Sequence, residues 1–126
     1  VGIRAQCNEE ANFIEQNNIN TFYAWQIRRK FWGENWQKDV ADTLSENVYV
    51  TFDVDCFDPS LMPSTGTPEP NGLFYAEVMD IFFEMHKQNK KIIGFDVVEL
   101  APIEGLHHPN LTTASLVYKL MHYLKF

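Results

Sequence analysis

Cysteine, basic clusters and long apolar runs are all scarce in this chain. Its two cysteines, Cys7 and Cys56, make no disulfide framework. That usage fits a reduced, cytoplasmic setting. No apolar stretch approaches the ~18 residues that a membrane-spanning helix needs, and no signal-peptide pattern is present. A membrane partner is therefore not expected. The basic residues fall in isolated groups, Arg28-Arg29-Lys30 and Lys90-Lys91, within an excess of acid: 10 Lys and Arg against 17 Asp and Glu, a formal charge of −7. Without a basic stripe, nucleic acid is disfavoured as a partner. Internal repeats and low-complexity tracts are also missing. The 126 residues suffice for one small domain. Val1 falls in what reads as the middle of a strand. Residues 1–126 are thus expected to be the carboxyl-terminal part of a single, larger α/β domain.

The chain's most informative segment is Thr51-Phe52-Asp53-Val54-Asp55-Cys56-Phe57-Asp58-Pro59, continuing through Pro63-Ser64-Thr65-Gly66-Thr67-Pro68-Glu69-Pro70. An apolar run from Val48 ends in two aspartates one residue apart, and Pro59 stops the strand. Residues i and i+2 of a strand share a face, so Asp53 and Asp55 are expected side by side at the strand's carboxyl end. Open α/β sheets place their ligands there. Two adjacent carboxylates repel, and a hard divalent cation relieves the repulsion. A calcium hand does not fit: counted from Asp53, its glycine position holds Asp58 and its last ligand position holds Ser64.

Strands and helices alternate, which predicts a mostly parallel sheet flanked by helices. Val1–Arg4 reads as a strand remnant. Asn8 caps a helix to about Asn17, with Glu9 and Glu10 in its first turn. A short strand over Ile19–Ala24, a short helix over Gln26–Trp32 and a longer helix over Glu34–Glu46 follow. Val48–Asp53 is the motif strand, and Ser60–Gly72 is a loop. Val78, Ile81, Phe82 and Met85 fall at i, i+3, i+4 and i+7 of a helix over Tyr75–Gln88. Lys91–Leu100, apolar on both faces from Ile92 to Val98, reads as a buried parallel strand. Leu106–Leu111 is a loop before a last helix, Thr112–Leu124. The aromatic group Phe22, Tyr23, Trp25, Phe31, Trp32 and Trp36 suits core or subunit packing.

The motif segment resembles the third signature of the ureohydrolases, the arginase and agmatinase family. Thr51, Phe52, Asp53, Val54, Asp55, Pro59, Pro63, Ser64 and Gly72 match its fixed positions. Gly94-Phe95-Asp96-Val97-Val98-Glu99-Leu100-Ala101-Pro102 looks like the family's later strand, and Val1-Gly2-Ile3-Arg4 like the end of an earlier one. The family's two histidine-containing motifs are absent. The resemblance implies an arginase-like α/β fold, incomplete here. It also implies hydrolysis of a guanidino compound to urea and an amine with two Mn²⁺ ions, which lower the pKa of a shared water. By the same resemblance Asp53 bridges both ions, Asp55 binds one, Glu99 anchors the guanidinium and Thr67 lines the substrate loop. Residues 1–126 alone are expected to be inactive, and a homo-oligomer is expected.

Thr67-Pro68-Glu69-Pro70 and Phe95 to Leu100 look more like agmatinases than arginases, which makes agmatine the expected substrate. Asn71 stands where the family usually has glycine, a change expected to touch loop flexibility more than chemistry. Two other readings stand beside this one. The chain could be a scaffold or assembly piece without chemistry of its own. A phosphotransferase of the haloacid-dehalogenase kind also uses Asp-x-Asp after an apolar strand, with Asp53 as nucleophile and Asp55 as general acid. That family usually has Thr or Val where this chain has Phe57. His107 and His108 read as exposed loop residues, His86 and His122 as surface or packing residues, and Asp96 as structural.

Overall fold

The computed structural model describes residues 1–124. Its centre is a pair of parallel strands, β1 (Asn47–Asp53) and β2 (Lys91–Val98). Val48 and Phe52 of β1 are buried and Val50 is half-buried, whereas Tyr49 and Thr51 point outward. The period of two that the sequence shows is thus realised in burial. The pairing slips by one residue at Ile93: Val48 faces Ile92, but Tyr49 faces Gly94. Gly94 lets the Tyr49 ring lie over the strand, because a Cβ there would come within 2.9 Å of the ring and displace it.

Between the strands run a turn, a long loop and α4 (Tyr75–Lys87). Its apolar stripe, Val78, Ile81, Phe82 and Met85, is buried as the spacing predicts. Each such side chain contributes roughly 1.5–3 kcal/mol relative to exposure. Glu77 accepts from the Phe74 N–H at 2.8 Å and so satisfies one open donor of the first turn. Asn89, at φ 57°, turns the chain out of the helix. Helix α3 (Trp36–Asp42) packs on α4 and buries Trp36, Val40 and Ala41. Helix α5 (His108–Tyr123) packs against β2, with Leu116 and Leu120 fully buried. One core joins these elements to Phe22, Ile27, Val54, Phe57, Met62 and Leu73. Among the described residues no helix is long and apolar enough to cross a membrane.

Several expectations are corrected. The first helix, α1 (Asn8–Gln16), is capped by Cys7 rather than Asn8, because Glu10 reaches back to the Cys7 N–H at 2.7 Å. Val1–Arg4 and Ile19–Ala24 are not strands; they meet only in a parallel bridge between Ile3 and Tyr23. Ala24 already opens α2 (Ala24–Arg28), two residues before the expected start. α3 is shorter than Glu34–Glu46, since Asn35 caps it and Thr43 turns its hydroxyl back onto the Val40 carbonyl at 2.7 Å. The last helix begins at His108, a turn earlier than Thr112, because Pro109 sits in its first turn, where a missing N–H costs nothing. β2 is not buried on both faces: Ile93 and Val98 are 52% and 42% exposed. Their face of the two-stranded sheet has no covering layer among the described residues.

Candidate metal and substrate site

β1 ends at Asp53, and Val54–Cys56 then form one 3₁₀ turn. Asp53 and Asp55 therefore do not meet as strand neighbours on one face, which corrects the i, i+2 argument. They meet because the turn folds back: the Asp53 Oδ1 accepts the Asp55 N–H at 2.9 Å. Both carboxylates line one cavity of about 460 Å³, with Arg4, Cys56, Thr67 and Glu69. Thr67 donates its hydroxyl to Asp55 Oδ2 at 3.0 Å. The expected substrate loop thus lies over the aspartates.

Glu99 stands one residue beyond β2, at φ 66°. A left-handed backbone is uncommon for glutamate and is stored strain. The strain is held by the next residues, where Ala101 donates its N–H to the Ser64 carbonyl at 2.9 Å. The Glu99 carboxylate comes beside Gly66, where a Cβ would lie 3.9 Å from Oε2. Glu99 is not in the wall of the cavity that holds the aspartates, but its charge reaches Asp53. Burial pushes the Asp53 carboxyl above its usual range; the charges of Asp55 and Glu99 add to this, and the Asp55 N–H works against it.

Two features of the loop explain motif positions. A Cβ on Gly72 would fall 2.3 Å from the Asp58 nitrogen, so only glycine fits. Asn71 has φ 63°, a conformation that asparagine tolerates better than most residues, so it stands in for glycine at little cost.

Burial pushes the Cys56 thiol up to about 12, which keeps it neutral and leaves it a packing residue. His107 and His108 are exposed at the start of α5, and His86 and His122 are exposed on helices. Asp96 accepts the Thr51 hydroxyl across the sheet at 2.8 Å, in line with a structural role.

Two residues were missed in the sequence. Arg4 donates to the Asp55 backbone carbonyl and, at 3.1 Å, to that of Gly2. Arg28 donates to the Gly72 carbonyl and pairs with Glu77. These contacts span 51 and 44 residues for Arg4 to Asp55 and Arg28 to Gly72, and no local pattern announces them.

The site gathers hard oxygen donors, two of them joined through one turn, and among the described residues no ion pair is made to Asp53 or Asp55, Arg4 bonding backbone carbonyls instead. That donor set fits a divalent cation. It is a partial shell: among the described residues no three Asp, Glu, His or Cys side chains converge.

The family model described as the arginase family matches residues 1–125. The chain belongs to the arginase family. It is 43% identical over 124 residues to the N(1)-aminopropylagmatine ureohydrolase of Synechocystis sp., covering 98% of this chain and 39% of that protein. It is 36% identical over 117 residues to the agmatinase of Pyrococcus horikoshii, covering 93% of this chain and 39% of that one. The agmatine ureohydrolase of Thermoplasma volcanium superposes with a TM-score of 0.78 at 27% identity, over 95% of this chain and 39% of its own. The fold is accordingly arginase-like α/β. The chain spans about two fifths of the length of the relatives it matches.

Proposed function

We propose that the intact protein hydrolyses a guanidino compound to urea and an amine, and that residues 1–126 are the carboxyl-terminal part of its single α/β domain. The observation that carries this reading is the convergence of Asp53, Asp55 and Thr67 on one cavity, with Glu99 close enough to act on Asp53, in a chain of the arginase family.

A guanidinium is a poor electrophile because its charge is delocalised. The residues present address both needs of the reaction. Asp53 and Asp55 would hold manganese, whose chemistry when bound is to lower the pKa of water and yield a nucleophile at neutral pH. Glu99 accepts paired hydrogen bonds from the guanidinium and offsets its charge. Thr67 orients Asp55 through its hydroxyl and walls the substrate cavity. With only two convergent carboxylates, residues 1–126 alone bind Mn²⁺ weakly and release no urea.

Agmatine is the proposed substrate, on Thr67-Pro68-Glu69-Pro70 and on the names of the agmatinase relatives. N(1)-aminopropylagmatine is the second reading, favoured by the Synechocystis relative's name and 43% identity. Urea release by the intact protein, loaded with manganese and given each compound, arginine and guanidinobutyrate, tests this. Turnover of agmatine or its aminopropyl derivative supports the proposal; urea from none of the four refutes it.

A further inference from the structure

The long loop that carries Thr67 runs from Asp58 to Gly72, and its two ends are closed on each other. Asp58 donates its N–H to the Leu73 carbonyl at 2.9 Å, and Leu73 donates to the Cys56 carbonyl at 2.8 Å. The Asp58 carboxylate accepts the Gly72 N–H at 3.2 Å. These bonds close the loop, and the buried Met62 and Ser64 fix its first half against the fold. A side chain from α2 holds the returning half. The Arg28 guanidinium meets Glu77 in a fork, 2.6 Å from Oε1 and 3.0 Å from Oε2. Its second nitrogen also donates to the Gly72 carbonyl, and its carbon lies 5.6 Å from the centre of the Phe74 ring. One planar group thus touches the last residue of the loop, the cap residue of α4 and the third residue of α4.

We propose that Arg28 is a positioning residue that sets the height of the returning half of the loop, residues 65–72, and with it Thr67, over the aspartates. The kinetic part of this inference rests on the proposed function. Arg28 touches neither Asp53, Asp55, Thr67 nor Glu99, so its effect on them must pass through the loop. The Arg28 fork suits the task because a planar, five-donor group holds a carboxylate and a carbonyl at once, which a lysine ammonium at the same place cannot do in a fixed geometry. The loop's own bonds to the site are few: Thr67 to Asp55, and Ser64 from Ala101. Met62 and Ser64 are fully buried, but a shift at the Gly72 end reaches Thr67 through residues 68–71 without crossing that anchor.

The test compares R28K and R28Q with the wild type in the intact protein. Hydrogen exchange of the amides between Thr65 and Asn71 is expected to rise at least about threefold in R28Q and less in R28K, with β1 and β2 unchanged. With agmatine, KM is expected to rise about fivefold or more while kcat stays within about twofold, and manganese content holds. General destabilisation gives another signature. It speeds exchange throughout and lowers the active fraction, so kcat falls and KM stays. That result overturns the proposal, as does unchanged exchange at 65–71. If the wild type releases no urea from any guanidino compound, the functional reading fails, and the exchange comparison still decides the role of Arg28.

Discussion

The two ends of the strand pair treat charge in opposite ways. At the amino end, Glu46 and Asp42 have lysine partners. Lys91 lies 2.7 Å from Glu46, Lys38 lies 2.5 Å from Asp42, and Lys90 donates to the Leu44 carbonyl. The hydrogen bond from Lys91, and then its charge, hold the Glu46 carboxyl below its usual range. At the carboxyl end, Asp53 and Asp55 share one cavity, and the charge of Glu99, outside its wall, still reaches Asp53. Arg4 is nearby, but its recorded bonds go to backbone carbonyls, not to the carboxylates. Burial, then Asp55 and Glu99, push Asp53 the other way. Paired surface charges contribute little to stability, whereas like charges held together cost free energy unless a counter-charge arrives. The fold tolerates that cost at one end only, and that end carries the family's motif residues.

The contrast makes predictions of decreasing size. Asp53→Ala in the intact protein should bring urea release down to background and strip most of the manganese, as elemental analysis would show; wild-type metal content in that variant would break the contrast. Glu99→Gln keeps the shape but loses charge-assisted pairing, worth roughly 1.5–3 kcal/mol. It should lower kcat/KM at least about tenfold with the metal retained. Lost metal would instead make Glu99 a ligand, and unchanged kcat/KM would make it structural.

A smaller effect is expected at Glu77. Burial raises its carboxyl, but the Arg28 hydrogen bond, the Phe74 N–H and the Arg28 charge outweigh burial and leave it below its ordinary value of 4.5. A lowered folded pKa gives stability that is present above the ordinary value and lost as pH falls through the folded one. Denaturant unfolding should therefore show the wild type losing stability below about pH 4.5 more steeply than Glu77→Gln. Parallel slopes would remove this pair from the account. Smallest of all, Glu46→Gln at the amino end should leave turnover unchanged and barely alter stability, since its pair is exposed. A loss of activity there would erase the difference between the ends.

Much of the fold was legible because local rules decided it. The i, i+3, i+4, i+7 stripe from Val78 to Met85 and the alternation from Val48 to Phe52 needed no distant partner. The loop after Pro59 was legible from its own prolines and glycines. The site was legible in its residues but not in its geometry. Asp53 and Asp55 look like strand neighbours in sequence, yet a 3₁₀ turn brings them together, and one-turn 3₁₀ segments carry no periodic signal. The left-handed backbone at Glu99 is equally silent, because glutamate has no preference for it. Arg4 and Arg28 could not be read at all: each holds a carbonyl more than forty residues away, and backbone carbonyls leave no trace in sequence. The start of α5 was legible in principle, since Pro109 is a helix-opening residue.

The central claim is that burial, with the added charges of Asp55 and Glu99, disfavours the Asp53 carboxylate at the end of β1, and that a divalent cation offsets this cost. Its most direct test is the thermal unfolding midpoint of the intact protein, stripped by chelator and then reloaded with Mn²⁺, for the wild type and Asp53→Asn at neutral pH. Asparagine keeps the oxygen that accepts the Asp55 N–H and removes the charge. The account predicts that the stripped variant unfolds above the stripped wild type, and that manganese raises the wild type's midpoint while raising the variant's little. A stripped variant that unfolds below the stripped wild type, with manganese raising both equally, would contradict it.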